Sequence, residues 1–345
     1  MKASYLLKEA NYYRKLGNGN LKKMLLKFMF AKTPVSKLVN RIGYNNIYSK
    51  VIKNASKIPP RIFQIENTNF CNARCIMCPH TIMKRKAKTM TQNDFEKICG
   101  NVLDYIPISS IIITGFGEPL IDQGIIEKIK WLNNIYNEVE IDIYTNASLL
   151  TNEISNELLK LKIHKINFSI NGTEKSYKKV MGLDYKRTRD NILYFLNKKK
   201  ELGLEYPLTN VSLVVVKENE NELGKIIEFW KDKADSVMAY GPSDWAGALK
   251  GTIINQDPFK NRRWPCPALW TVVTTDVDGN LIMCCRDHES KVTFGNLLKD
   301  NIISIRNGTK FKELLKNQLD YKFDTPVCAS CDNYFNSTLN WWGTR

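Results

Sequence analysis

Residues 69–80 read Asn-Phe-Cys-Asn-Ala-Arg-Cys-Ile-Met-Cys-Pro-His and place Cys71, Cys75 and Cys78 in a Cys-x3-Cys-x2-Cys spacing. Thiolates are soft ligands that hold iron–sulfur clusters. In a four-iron cluster, three protein thiolates leave one iron open to bind a small molecule. The alternative is a zinc knuckle, although zinc motifs usually pair Cys-x2-Cys with a second Cys or His pair. The residues around this segment decide between the two.

Around the cysteines the chain alternates apolar, strand-like runs with amphipathic, helix-like runs. The strand-like runs lie at 62–67, 109–114, 139–145, 164–170, 209–216 and 235–240. Helix-start signals such as Thr91-x-x-Asp94 and Thr151 fall between them. Six strands in alternation with helices indicate parallel βα units. Because a complete barrel has eight such units, we expect an α/β fold built as an open, partial (β/α)6 barrel.

Polar or glycine-containing segments follow the first four predicted strands. The cysteine segment follows the first strand, Gly115-Phe116-Gly117-Glu118-Pro119 the second, Thr145-Asn146 the third and Ser169 the fourth. In parallel α/β folds the working site lies at the carboxyl ends of the strands. The sequence therefore predicts that these four segments share one rim.

The cysteine spacing and the Gly-x-Gly-Glu-Pro segment together resemble the radical S-adenosylmethionine (SAM) superfamily. The resemblance implies that the three cysteines hold a [4Fe–4S] cluster whose open iron binds SAM. Reduction of such a cluster cleaves SAM to a 5′-deoxyadenosyl radical, which abstracts a hydrogen atom from the substrate. The resemblance also implies SAM-binding roles for Gly115, Gly117, Glu118, Asn146, Ser169 and Met77. Helix capping is the alternative role for Asn146.

Four further cysteines, Cys266, Cys284, Cys328 and Cys331, lie beyond the predicted barrel. Their Cys-x17-Cys…Cys-x2-Cys arrangement resembles the Twitch domain, the short form of the SPASM domain. The resemblance implies one auxiliary [4Fe–4S] cluster, and hence two clusters in all. A structural zinc ribbon is the alternative. Cys285 is a rival ligand to Cys284, although Cys284 fits the Asp-Gly-x4-Cys spacing better.

The net charge of +16 is concentrated at the start of the chain. Residues 1–60 hold 13 Lys and Arg but one acid, Glu9, and so contribute +12. Leu21, Met24, Leu25 and Phe28 recur at helical spacing with lysines between them. Such a basic amphipathic helix binds an anionic membrane surface or a partner, or it docks on its own enzyme body.

We expect four parts in the chain: a basic helical extension at 1–58, the radical SAM partial barrel at 59–240, a linker at 241–263 and a Twitch-like α+β domain at 264–345. Nine cysteines in a chain that starts without a secretory signal predict reduced thiols and a cytoplasmic location, with or without membrane association. No apolar run reaches the ~20 residues that span a bilayer.

In the family mechanism, the substrate radical passes an electron to the auxiliary cluster while it loses a proton. This favours net oxidation of a sugar- or cyclitol-like small molecule, with a flavodoxin or ferredoxin as electron donor. One alternative is a maturase that modifies a ribosomally made peptide. A zinc-containing basic nucleic-acid-binding protein is the non-enzymatic alternative, but it leaves the Gly-x-Gly-Glu-Pro rim unexplained, so no specific nucleic acid is expected.

Asp287 is the predicted catalytic residue, because it follows Cys284 and could take the proton that the substrate loses. The alternative is a structural ion pair between Asp287 and Arg286 or a lysine.

Overall fold

The computed structural model describes residues 59–249 and 265–331. The strands are β1 (Ile62–Ile65), β2 (Ser110–Ile113), β3 (Glu140–Thr145), β4 (Lys165–Ser169), β5 (Leu208–Val214), β6 (Ser236–Tyr240), β7 (Val272–Thr275), β8 (Asn280–Ile282) and β9 (Thr293–Asn296). The predicted helical extension at 1–58 and most of the predicted linker lie outside the described residues.

The α-helices of the described residues are α1 (Gln92–Leu103), α2 (Ile125–Ile135), α3 (Asn152–Leu158), α4 (Tyr177–Met181), α5 (Tyr185–Glu201), α6 (Leu223–Trp230), α7 (Ala268–Thr271), α8 (Ile302–Asn307) and α9 (Thr309–Leu319). Short 3-10 turns lie at Pro79–Ile82, Pro119–Ile121 and Glu220–Glu222. None of the helices in the described ranges has the length and apolar character that a bilayer span requires.

All nine strands belong to one sheet with the order β6-β5-β4-β3-β2-β1-β7-β8-β9. Strands β1 to β6 pair in parallel, in sequence order. The order leaves β6 and β9 at the two edges, so the sheet is open. The predicted α/β fold with a partial (β/α)6 barrel is therefore confirmed, and all six barrel strands lie within the predicted runs or about two residues from them.

Local sequence signals explain where the helices begin. The Thr91 side chain accepts a hydrogen bond from Asp94 N at the start of α1, and Thr151 caps α3 in the same way through Ile154 N. These caps satisfy amide groups that the first helical turn leaves unpaired. Both helix-start predictions are confirmed.

One face of the parallel sheet packs against the helices, and the other is largely polar. Side chains alternate along a strand, so Phe63, Ile111 and Phe168 point into the main core, where each is fully buried. The opposite face carries a row of polar residues in register. Tyr144 pairs with Asn167 and Asn167 with Asn210. The sheet therefore presents hydrogen-bonding groups on the face away from the helices.

The C-terminal part continues the same sheet. Strand β7 pairs with β1 in parallel, with Ile62 opposite Val272, and β8 and β9 follow in antiparallel order. Gly279, with a φ of 80°, makes the turn before β8, as the Asp278-Gly279-Asn280 signal predicts. The parallel pairing of β7 with β1 was not predicted, and it joins the second cysteine set to the barrel through backbone hydrogen bonds.

Candidate active site

The cysteine loop follows β1 and is held by backbone contacts to helix α4. Arg74 N donates to Met181 O at 2.8 Å, and Cys78 N donates to Cys75 O at 3.0 Å to close a turn. Because the loop turns back on itself, its three thiols are brought into one small region. The structure therefore places Cys71, Cys75 and Cys78 together, as the spacing predicts.

Burial of these three thiols favours their protonated form in the absence of metal. Burial raises the pKa of Cys71 to about 12 and also raises the pKa of Cys75 and Cys78, and the neighbouring cysteines add to the effect at Cys75. Bound metal overcomes this by favouring the thiolate. No three His, Cys, Asp or Glu side chains of the described ranges converge enough to hold one ion, but cluster thiolates each bind a different iron.

Gly115 and Gly117 follow β2 at points where no side chain fits. A Cβ atom at Gly115 would lie 2.4 Å from Glu66 Cγ, and one at Gly117 would lie 2.2 Å from the carbonyl oxygen of Thr68. The two glycines thus let the β2 rim loop pack against the segment between β1 and Cys71. The two glycines therefore have a packing role beside the cysteine loop. Their contact with SAM remains a prediction.

Glu118 is buried and links the ends of β2 and β3. One carboxylate oxygen accepts hydrogen bonds from Leu120 N and from the Thr145 hydroxyl, at 3.1 and 2.5 Å. The other accepts from Asn146 N at 2.6 Å. Burial raises the pKa of Glu118 to about 7, although these hydrogen bonds oppose the shift. Glu118 therefore orders the rim, and its carboxyl group titrates near neutral pH.

Asn146 belongs to a polar cluster beside the cysteine loop. Its Nδ2 donates to Asn72 Oδ1 at 2.9 Å, and its Oδ1 accepts from the Ser148 hydroxyl at 2.7 Å. Asn72 Nδ2 in turn donates to Ser148 Oγ at 2.8 Å. Sequence reasoning did not identify Asn72 or Ser148, although Asn72 lies next to Cys71. The cluster connects the β3 rim to the cysteine loop.

Met77 lies in the core, whereas Ser169 lies at the end of a strand. The Met77 side chain is buried in the main core, and the SAM-binding role that the resemblance implies for it remains a prediction. Ser169 ends β4 and is half-buried. It therefore lies at the rim, as predicted, within the row of strand ends that carries the cysteine loop and Glu118.

The second cysteine set gathers around a small core of its own. That core contains Leu269, Trp270, Met283, Leu314, Val327 and Cys328, with Cys266 and Cys284 packed against it. Burial raises the pKa of Cys266 to about 12, and the neighbouring thiols, including Cys331, raise it further. Because Cys331 N also donates to Cys328 O at 3.1 Å, the structure brings the four cysteines of the predicted auxiliary set into one region.

Two observations show which cysteine of the second set is the better ligand candidate and which side chain supports the set. Cys284 is packed against the small core, whereas Cys285 is exposed, so burial favours Cys284 as the ligand. Gln318 from α9 is buried and spans two of the cysteines: its Oε1 accepts from Cys266 N at 3.1 Å and its Nε2 lies 3.3 Å from Cys328 Sγ. Gln318 was missed, since no motif marks a lone glutamine on a helix.

Asp287 lies two residues after Cys285 and is buried. Its two carboxylate oxygens accept hydrogen bonds from Lys291 N and Val292 N, each at 2.8 Å. Burial raises the pKa of Asp287 above its usual range. Through these contacts Asp287 organises the loop between β8 and β9, and its role as proton acceptor remains a prediction.

Trp245, from the predicted linker, joins the two cysteine regions. Its Nε1 donates to Met77 O at 2.7 Å, and its ring meets Phe116 edge-on at 5.6 Å. The guanidinium of Arg286 stacks over the same ring at 4.6 Å. Sequence reasoning assigned Trp245 to a linker. The sequence did contain one indication of an aromatic cluster at the rim, because Phe116, which contacts Trp245, is an aromatic residue inside the glycine motif.

Glu66, at the end of β1, connects the rim to the C-terminal part. Its carboxylate accepts hydrogen bonds from Phe116 N at 2.9 Å and Val277 N at 3.0 Å. One buried side chain thus fixes both the β2 rim loop and the turn after β7. The site is therefore assembled from both halves of the chain.

Comparisons with known proteins agree with this geometry. The family model of the radical SAM superfamily matches residues 65–229, and an iron–sulfur cluster-binding domain, SPASM, matches residues 266–332. The GTP 3′,8-cyclase of Clostridium perfringens is 30% identical over 139 residues, which are 39% of this chain and 41% of that protein. The chain spans about half the length of the curated relatives it matches.

Solved structures show the same fold. BtrN, in complex with AdoMet and 2-DOIA, superposes with a TM-score of 0.55 at 19% identity, covering 79% of this chain and 93% of BtrN. Streptococcus suis SuiB, bound to precursor peptide SuiA, superposes with a TM-score of 0.62 at 16% identity, covering 87% of this chain and 75% of SuiB.

Fold and site define an iron–sulfur enzyme with an α/β partial barrel and a C-terminal cluster domain. The chain belongs to the radical SAM superfamily and carries a SPASM/Twitch-type auxiliary domain. These two domains imply SAM and two iron–sulfur clusters as its cofactors, and the two thiol sets fit that requirement.

Proposed function

We propose that this radical SAM enzyme oxidises a sugar- or cyclitol-like small molecule, with the auxiliary cluster accepting an electron. When bound, the first cluster and SAM supply the radical chemistry, and the auxiliary cluster supplies the acceptor. The observation that carries the proposal is the pairing of a three-cysteine loop at the rim with a separate four-cysteine set. Three thiols leave an open iron, whereas four form a closed site suited to electron transfer.

The polar face of the sheet supports a hydroxyl-rich substrate. Asn167 Nδ2 donates to Ser212 Oγ at 2.7 Å, and Asn167 Oδ1 accepts from Asn210 Nδ2. Ser236 Oγ donates to Asn210 Oδ1 at 2.7 Å. Hydroxyl and amide groups both donate and accept hydrogen bonds. A face lined in this way suits a molecule with several hydroxyl groups better than an apolar one.

Asp287 is retained as the proposed proton acceptor. Each of its oxygens accepts one amide hydrogen bond and keeps further lone-pair capacity. Asp287→Asn tests the proposal when iron content and substrate oxidation are measured together. Normal iron with lost oxidation supports proton transfer, whereas loss of the auxiliary iron together with oxidation shows that Asp287 acts by holding its loop.

Peptide modification is the second candidate function. It is supported by the likeness in fold to SuiB, whose structure contains a precursor peptide. The nucleic-acid-binding alternative finds no such support in a chain that belongs to an enzyme superfamily.

The proposed partners extend beyond the substrate. A flavodoxin or ferredoxin would supply electrons to this cytoplasmic enzyme, and residues 1–58 would bind an anionic membrane surface. Their charge of +12 predicts vesicle binding that weakens as salt rises. If the full chain shows no salt-dependent binding to vesicles, residues 1–58 would instead be docked on the body of the enzyme.

The deciding experiment uses the anaerobically reconstituted chain with SAM and a reductant. We expect cyclitols or amino sugars to stimulate 5′-deoxyadenosine formation, with deuterium transfer from a labelled substrate and release of an oxidised product. Cys328→Ala with Cys331→Ala should keep SAM cleavage and lose oxidation. Stimulation by peptides alone would favour the second candidate, and oxidation that survives the double substitution would refute the electron-acceptor role.

A further inference from the structure

Arg286 is a half-buried cation at the junction of the two cysteine regions. It follows Cys284 and Cys285 in the chain, and its guanidinium stacks on Trp245. Trp245 in turn contacts the rim through Met77 O and Phe116. Arg286 thus lies between the cysteine loop of the barrel and the auxiliary domain.

Among the described residues, no carboxylate forms an ion pair with Arg286. Within residues 59–249 and 265–331, its one hydrogen-bond acceptor is Ser243 Oγ. Two acids that follow Arg286 in the chain have other partners: Asp287 accepts loop amides, and Glu289 accepts from Lys84 N at 2.9 Å. A half-buried guanidinium that makes one hydrogen bond to the described residues keeps N–H groups that can bind a further acceptor.

Arg85, the other arginine at this junction, provides the contrast. Its guanidinium is paired with both oxygens of Glu66, so its charge is balanced within the protein. Arg286 instead has an aromatic ring on one face, and that contact fixes the plane of its fork. Trp245 and Ala246 hold positive φ angles of 53° and 58°, a conformation that persists where surrounding contacts impose it.

A fixed guanidinium fork matches the geometry of a carboxylate or phosphate group. We propose that Arg286 is the anion-recognition residue of the substrate site, and that it binds a phosphate or carboxylate group carried by the small polar substrate. Trp245 acts as a positioning residue for it. This inference rests on the proposed function, because it assumes that a small polar molecule occupies the space between the two cysteine regions.

The test measures binding to the anaerobically reconstituted full chain by calorimetry. The probes are D-glucose 6-phosphate, D-glucuronate and uncharged D-glucose at equal ionic strength. We expect one or both charged probes to bind more tightly than glucose, and the comparison between the two separates phosphate from carboxylate recognition. Arg286→Gln should weaken the preferred charged probe by roughly tenfold or more, and Arg286→Lys should restore part of the loss. Arg187→Gln, an exposed arginine on α5, is the matched control and should change nothing.

Two results would overturn the inference. One is equal binding of all three probes by the unchanged chain. The other is an Arg286→Gln variant that weakens SAM and the charged probes alike, because Arg286 would then serve SAM. The inference fails separately from the proposed function. Equal binding of the three probes would overturn the inference and leave the proposed function standing, whereas the proposed function fails when no cyclitol or sugar is oxidised by the unchanged chain.

Discussion

Glu66 and Arg85 form a buried, bidentate ion pair between the end of β1 and the loop that follows the three cysteines. The two N···O distances are 2.7 and 2.9 Å, and the side chains are only 3% and 11% exposed. Arg85 Nε also donates to His288 O at 2.7 Å. Together with the Glu66 contact to Val277 N, this pair connects the barrel to the auxiliary domain.

Removing one partner of this pair should be strongly destabilising. Arg85→Gln leaves the Glu66 carboxylate buried without its counter-ion, and such losses cost about 3–5 kcal/mol. We expect a drop of that size in the free energy of unfolding, measured by urea titration. The double variant, Glu66→Gln with Arg85→Gln, should lose less than the sum of the two single variants, because it leaves no buried charge.

An exposed ion pair between the same two regions serves as the control. Lys88 Nζ lies 2.9 Å from Asp278 Oδ1, with side chains 40% and 55% exposed. Lys88→Ala should change the free energy of unfolding by at most about 1 kcal/mol. Equal losses in Arg85→Gln and Lys88→Ala would show that the buried pair has no special role.

The Gly115 position should not tolerate a side chain. Gly115→Ala forces a Cβ atom against Glu66 Cγ, and overpacking of this kind costs about 1–3 kcal/mol. Because Glu66 supports the rim, the variant should also retain less iron at the first site. Gly224→Ala on α6, where the new Cβ meets nothing within 4 Å, is the control. An Ala variant at 115 that matches it in stability and iron would contradict the packing argument.

Glu118 should make stability depend on pH near neutrality. Burial raises the pKa of Glu118 from 4.5 to about 7. The stability that its protonated carboxyl group contributes is therefore fully present below about pH 4.5 and is lost as the pH rises through 7. Between pH 6 and pH 8 the unchanged chain should lose roughly 1 kcal/mol relative to Glu118→Gln, which cannot ionise. Urea midpoints of the reconstituted proteins across this range measure the difference, and parallel curves would exclude Glu118 as the titrating group.

The barrel was predictable because its signals are local. Apolar runs at 62–67 and 164–170 mark β1 and β4, and Thr91 and Thr151 mark helix starts through their own side chains. The cysteine sets are also visible in the sequence, because ligand spacing within one loop is fixed by chain geometry. These features need no knowledge of which distant segments meet.

What the sequence did not reveal depends on distant contacts. The pairing of β7 with β1 joins Val272 to Ile62, and Glu66 reaches Arg85 and Val277 only once the sheet has formed. Trp245 lies in a segment with no regular pattern, yet it contacts Met77 O across 168 residues. The hydrogen bonds by which Asp287 organises its loop, from Lys291 N and Val292 N, were not visible in the motif either, and its role as proton acceptor stays a prediction.

The central claim is that two separate thiol sets hold two clusters with different tasks. Iron and sulfide analysis of the anaerobically reconstituted chain, together with a 5′-deoxyadenosine assay, tests it most directly. We predict about eight irons for two four-iron clusters and SAM cleavage by the unchanged chain. The triple substitution Cys71→Ala, Cys75→Ala and Cys78→Ala should halve the iron and abolish cleavage. A triple variant that still forms 5′-deoxyadenosine, or zinc in place of iron at the second set, would contradict the account.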